Sequence, residues 1–357
     1  MKPKDSARKL KPRDRAILRD VIGTYILTGS PVSSRAIAKS RRHGLSAASI
    51  RNIMADLEDL GYLSHPHVSA GRVPTGDGYH LYIDDLMPSQ AISERVRTAI
   101  EEGLGDQEGD GERLASSASH LLSELSRQIG IVVTPSIDET VIRSVNFVSL
   151  SGSKVLCVVV SSSGFVDHKV IEAPLPTSQD ELTKISNYLN DRFGGETIRA
   201  VRRRLLAMMA EERAKVNRLL ATAIDLADRA LPDGHPELHF DGAASLLAQP
   251  ELADLERVRA LLDTFENKAA LVRLLNQLIE GPGVRVVIGE ESDLTSKLDF
   301  SLVLTTYGVG ETQGALAVFG PSRMEYHKMI PLVDYLGERL SQALEGIDEQ
   351  GTGGATH

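Results

Sequence analysis

Three runs with helical apolar spacing follow one another between Leu18 and Gly61, each broken from the next by glycine, proline or serine. Leu18, Val21, Ile22, Tyr25 and Ile26 recur at i, i+3, i+4, i+7 and i+8, which puts them on one helical face. Gly29 suits the left-handed residue that ends a helix, and Pro31 forbids immediate re-entry. Ser33 is placed to cap a short helix through Ile37 to about Arg41. His43-Gly44-Leu45 reads as a tight turn. Ser46 then caps a third helix, with Ile50, Ile53 or Met54, Leu57 and Leu60 as its buried positions and Gly61 as its stop. Helix, short helix, glycine turn, helix is the layout of a helix-turn-helix.

The outer side of the third helix predicts what it meets. Ala47, Ala48, Ser49, Arg51, Asn52 and Ala55 lie away from the apolar stripe. Small residues let a backbone approach a groove, Arg51 offers a bidentate donor pair to guanine, and Asn52 pairs with adenine. Ser49 and the first free amides suit a phosphate. After Gly61, Tyr62 and Leu63 start a strand, the loop His65–Arg72 follows, and the chain returns at Val73-Pro74. A hairpin behind a recognition helix is a wing, and Arg72 stands where a wing meets a phosphate or the minor groove. The expected DNA-contact set is Arg35, Ser46, Ala47, Ser49, Arg51, Asn52 and Arg72, on double-stranded DNA. His65 and His67 read as solvated loop histidines rather than a metal pair, having no cysteine or carboxylate beside them.

Charge supports this division. The net charge is −9, which argues against a polyanion partner only if it is evenly spread. Residues 1–85 hold 14 lysines and arginines against 9 acids, a surplus of +5; the remainder holds 26 against 40, a deficit of −14. At roughly 150 residues per domain, a chain of 357 residues suggests two or three domains. One cysteine excludes an internal disulfide. The longest apolar run, Val155 to Val160, is far below the ~20 residues that span a bilayer. With no apolar stretch near Met1 to suggest a signal peptide, the expected compartment is the cytoplasm.

The runs LRDVIGTYILTGSPVSSRAIA, LSAASIRNIMADLEDLGYL, HPHVSAGRVPTGDGYHLYIDDL and YGVGETQGALAVFGPSRMEYHKMIPLVDYL closely resemble the HrcA family of bacterial heat-inducible transcription repressors, from about Lys11 to about Leu344. The resemblance implies a dimeric repressor on an inverted-repeat operator ahead of chaperonin and chaperone genes. It also implies a GroE-type chaperonin partner that keeps the repressor active until unfolded proteins compete for it. The chain departs from the family at Ala47, where proline is common, and at Ile53, often acidic. Gly76-Asp77 and His80 replace a more basic stretch, so Asp77 and His80 are left out of the contact set.

The body is expected to be α+β. Residues 1–87 form the winged-helix head and 88–111 a linker carrying the glycine- and acid-rich GLGDQEGDG. A helix from Glu112 to about Ile129 precedes strands at Val141–Ser149, Lys154–Ser161 and Phe165–Ala173, the second expected to be central and covered on both faces. Later strands at Val284–Ile288, Ser301–Tyr307 and Gly314–Phe319 and a helix from about Ser322 to Leu344 complete one α/β sandwich. The resemblance makes this sandwich GAF-like, its halves 112–174 and 263–346 split by a mostly helical inserted dimerisation domain, 175–262. The insertion carries a long amphipathic helix, Thr197–Leu231. Residues 347–357 are expected to be a disordered tail.

No catalytic, cofactor or metal constellation is legible. Gly308–Gly314 lies between two strands, the wrong context for a phosphate loop. Cys157 lies inside an apolar run, where a thiol is poorly ionised. Asp167-His168 and Asp138-Glu139 have no nucleophile at a working spacing. A metabolite-sensing GAF-like domain is the alternative reading, with no pocket signature to support it.

Overall fold

A computed structural model of the chain describes residues 10–40, 42–66, 71–88, 90–105, 111–135, 140–150, 153–162, 166–173, 177–201, 203–204, 237–244, 255–266, 283–291, 299–309 and 312–352, with a few positions between 222 and 275.

The first helix, α1 (Pro12–Thr28), opens with proline and buries Ile17, Leu18, Val21, Ile22 and Ile26. Gly29 closes it at φ 64°, its amide donating to the Tyr25 carbonyl. In α2 (Ser34–Lys39) the Ala36 amide donates to the Ser33 hydroxyl, and in α3 (Ala47–Asp59) the Ser49 amide donates to Ser46. Both Ile53 and Met54 are buried in α3, so the position left open by spacing alone is filled twice, whereas Leu60, expected inside, caps the helix end and is exposed. Two short antiparallel strands follow, β1 (Leu63–Ser64) and β2 (Val73–Pro74). Next comes α4 (Gly76–Leu81), running into a π-helical turn, Tyr82–Leu86.

The expected linker contains a helix, α5 (Glu94–Leu104), capped by Ser93, with Ile100 and Leu104 buried. It is part of the core because Val96, Ile100 and Leu104 repeat every fourth residue. Helix α6 (Gly111–Ser126) ends earlier than expected, and Ile129–Val133 leaves it as a fully buried strand, β3. The remaining strands are β4 (Ile142–Ser149), β5 (Lys154–Ser161), β6 (Val166–Glu172), β7 (Leu238–Asp241), β8 (Arg285–Ile288), β9 (Phe300–Val309) and β10 (Thr312–Pro321). The remaining helices are α7 (Gln179–Phe193), α8 (Leu255–Glu266) and α9 (Tyr326–Thr352).

These strands make two sheets, not one. Five pair antiparallel in the order β7-β3-β10-β9-β8, and β4-β5-β6 form their own sheet. Alternation sends Ile131, Val133, Leu302, Leu304, Ala315, Ala317 and Phe319 to one face of the large sheet, with Phe265 of α8. Val132, Val303, Leu316 and Val318 go to the other, packed with α6 and α9. The small sheet buries Val145, Phe147, Val155, Cys157 and Val159 under α7, in a core that runs from Ile142 to Ala227. Strand β5 is central as expected, but it alternates: among the described residues one face is buried and the other half-buried. Its apolar run hid a period of two because valine and leucine also occupy the outward positions.

The small sheet therefore does not belong with β8–β10, while β7, expected inside the insertion, pairs with β3. The excursion between them leaves and returns at one point: the Thr134 amide donates to the Glu237 carbonyl at 2.9 Å, and the Glu237 amide donates to the Thr134 hydroxyl at 2.7 Å. Most of the expected helix Thr197–Leu231 lies outside the described residues. The expected tail is helical through Thr352, as the continuation of α9.

Candidate nucleic-acid interface

The buried stripe of α3 fixes which side of it faces out. Ile50, Ile53, Met54 and Leu57 point into the head, so Ser46, Ser49, Arg51 and Asn52 are exposed and Ala47 partly so. Ser46 Oγ takes the Ser49 amide at 3.1 Å and lies 3.0 Å from Ser49 Oγ. Both hydroxyls thus sit at the helix N-terminus, where backbone amides favour an anion. Arg35 is exposed on α2. Neither Arg35 nor Arg51 makes an ion pair among the described residues. Five of the seven expected contacts therefore stand exposed on two neighbouring helices, with Ala47 partly exposed among them. The turn between those helices is fixed from behind: His43 Nε2 lies 2.8 Å from Asp20 of α1, both largely buried.

Arg72 is placed differently. Its guanidinium lies 2.6 Å from Glu58 on α3 and is 23% exposed. Its main chain bridges the α1–α2 turn: the Val32 amide donates to the Arg72 carbonyl at 2.8 Å and the Arg72 amide to the Val32 carbonyl at 2.9 Å. His65 is not a free loop histidine either, because its Nδ1 contacts the other oxygen of Glu58. The carboxylate that spacing did not place beside His65 comes from the helix before it. His67 lies outside the described residues.

Sequence reasoning missed Glu58 and Gly71. A Cβ at position 71 would lie 2.5 Å from the Val32 carbonyl oxygen, so only glycine allows this approach. The available signal was a glycine beside Arg72 and an acid in the last turn of a helix. Of the two residues left out of the contact set, His80 has its Nε2 2.6 Å from Glu291 in the body. That bond raises the His80 pKa above its ordinary value. Burial alone would raise Glu291, but the His80 bond and the Ile288 amide hold it below the usual carboxylate range.

Among the described residues no helix is long and apolar enough to cross a membrane. The HrcA protein C-terminal domain family matches residues 112–330. The chain is 40% identical over 340 residues to the heat-inducible transcription repressor HrcA of Geobacter sulfurreducens, covering 94% of this chain and 99% of that one. It is 39% identical to the repressor of the same name from Xanthomonas euvesicatoria, covering 94% and 96%. A crystal structure titled only as a hypothetical protein superposes with a TM-score of 0.67 at 25% identity, covering 95% of this chain and all of that one. No enzyme family is indicated. The chain therefore belongs to the HrcA family of heat-inducible transcription repressors, and it is a negative regulator of heat-shock gene transcription.

Proposed function

We propose that residues 12–86 are a winged helix-turn-helix that reads one half of an inverted-repeat operator, and that two copies of the chain bind it together. The observation that carries this is the outer side of α3. Arg51 and Asn52 are exposed beside the small Ala47 and Ser49, with every large apolar side chain of the helix turned inward. Arg51 offers two donors to guanine, Asn52 a donor and an acceptor to adenine, and Ser46, Ser49 and Arg35 serve the phosphates. A half-site reader needs a two-fold partner to match a two-fold operator.

The unit between Thr134 and Glu237 is the proposed dimerising insertion. Its small sheet leaves Val148, Leu150 and Val170 respectively 43%, 50% and 55% exposed on the face opposite α7. An apolar strip of that kind on a separate core supports a protein partner. The large sheet with α6 and α9 on one face is the GAF-like core that the family resemblance implies. A GroE-type chaperonin that maintains the active repressor is compatible with this sheet, in which β3 pairs with β7 and β10, both far from it in sequence.

The test is a footprint of the full chain on DNA upstream of the host's own chaperonin genes, with and without GroE. Symmetric protection over an inverted repeat, strengthened by the chaperonin, is expected. Protection of a single unrepeated site would remove the dimeric reading, and no protection would remove the reading head.

A further inference from the structure

Helix α3 ends in Asp56, Glu58 and Asp59, with no base in its last turn. The C-terminal end of a helix carries partial negative charge, so acids there are disfavoured unless cations hold them. Glu58 has two partners, the Arg72 cation and the His65 ring. One oxygen receives the Arg72 guanidinium at 2.6 Å and the other contacts His65. His65 directly follows β1 and Arg72 directly precedes β2, so one carboxylate grips both limbs of the hairpin. A third tie is the main-chain bridge from Arg72 to Val32, which Gly71 makes possible. Among the described residues the ladder itself pairs Leu63 with Pro74 and Ser64 with Val73, and a two-stranded hairpin is marginal without outside support.

We propose that Glu58 is a positioning residue for DNA binding: it locks the wing onto the end of α3, with Arg72 as its clamp rather than as a phosphate contact. This rests on the winged-helix reading above. Arg72 is held at its main chain by the α1–α2 turn and at its side chain by Glu58, so its charge is already neutralised within the head. It then has no free charge with which to displace a counterion from DNA.

The two roles of Arg72 predict different salt dependence. The experiment titrates the full chain onto the footprinted duplex by fluorescence anisotropy at several salt concentrations, for wild type, E58A, E58D, R72A, the E58A/R72A double variant and R51A. A clamp predicts that E58A and R72A each lose about tenfold in affinity and that the double variant loses no more than the worse single one. It also predicts that the salt slope stays at the wild-type value, that E58D recovers affinity by keeping the charge, and that footprint protection is lost only at the half-site flank. Thermal melts of the same variants accompany the titrations, and E58D carries the test if E58A unfolds the head. A slope smaller by about 1 in R72A, with E58A binding as well as wild type or better, makes Arg72 a phosphate ligand and overturns the clamp. Wild-type binding in both E58A and R72A overturns it as well. R51A separates the two readings: unchanged binding there sinks the assignment of α3, whatever the wing does.

Discussion

At the scale of single residues, the division of α3 into a buried and an open side makes Arg51 and Asn52 separable from folding. Arg51→Ala and Asn52→Ala are each expected to cost ~1–3 kcal/mol in operator binding and to relax base preference. Gel-shift titration against single-base operator variants checks this, and undiminished discrimination would place the reading surface elsewhere. Gly130 has the opposite character. It lies in β3 under α6, where an added Cβ would meet the Ser119 carbonyl oxygen and come within 2.6 Å of Leu122 Cβ. Gly130→Ala must push α6 off the sheet, an overpacking cost of ~1–3 kcal/mol. Urea unfolding reads it directly; a wild-type midpoint would mean that α6 yields at no cost.

At the scale of elements, α4 joins the head to the body. Tyr79, Leu81 and Tyr82 are buried, and the Tyr79 ring meets Tyr326 of α9 edge-on at 5.7 Å. The His80–Glu291 pair spans the same joint. A histidine whose pKa is raised on folding stabilises fully below its ordinary value of 6.5 and loses that contribution as pH rises through the raised value. Glu291, held low, contributes above its ordinary 4.5 and fades as pH falls through the lowered value. The wild type should therefore exceed His80→Gln in urea midpoint most between pH 4.5 and 6.5, with the gap closing above neutrality. A gap that widens with rising pH would contradict the assignment. Much at this scale was legible in the sequence, because caps and apolar periods are local. Gly29, Ser33 and Ser46 do what their residue types suggest, and β4, β5 and β6 fall within a residue of their expected bounds. Helix α5 was hidden by the glycine-rich loop after it, and β3 by having no turn residue between it and α6. That β3 shares a sheet with β7 and β10 is set by pairing across more than a hundred positions, and no window along the chain contains that. The Arg72–Glu58 contact was hidden for the same reason at shorter range: the charge was visible and its partner was not.

At the scale of the whole molecule, the bonds between Thr134 and Glu237 join the two ends of the segment that the proposal above reads as an inserted domain. Replacing residues 135–236 with a short turn should leave the five-stranded sheet folded and yield a monomer by light scattering. A dimer that persists would move the interface out of the insertion. The acidic balance belongs to this scale too: under the proposed reading, a +5 head on a −14 remainder lowers general attraction to DNA and leaves specific contacts to select the site. The order of strands also sets a clock on synthesis. The central pair of the large sheet joins β3, which is made early, to β10, which is made almost last. At ~5–20 residues per second, Ile129–Val133 leaves the ribosome about 10–40 s before its β10 partner exists. For that interval five residues that end fully buried can pair only with β7, itself made about a hundred residues after them, and every new copy of the repressor passes through it.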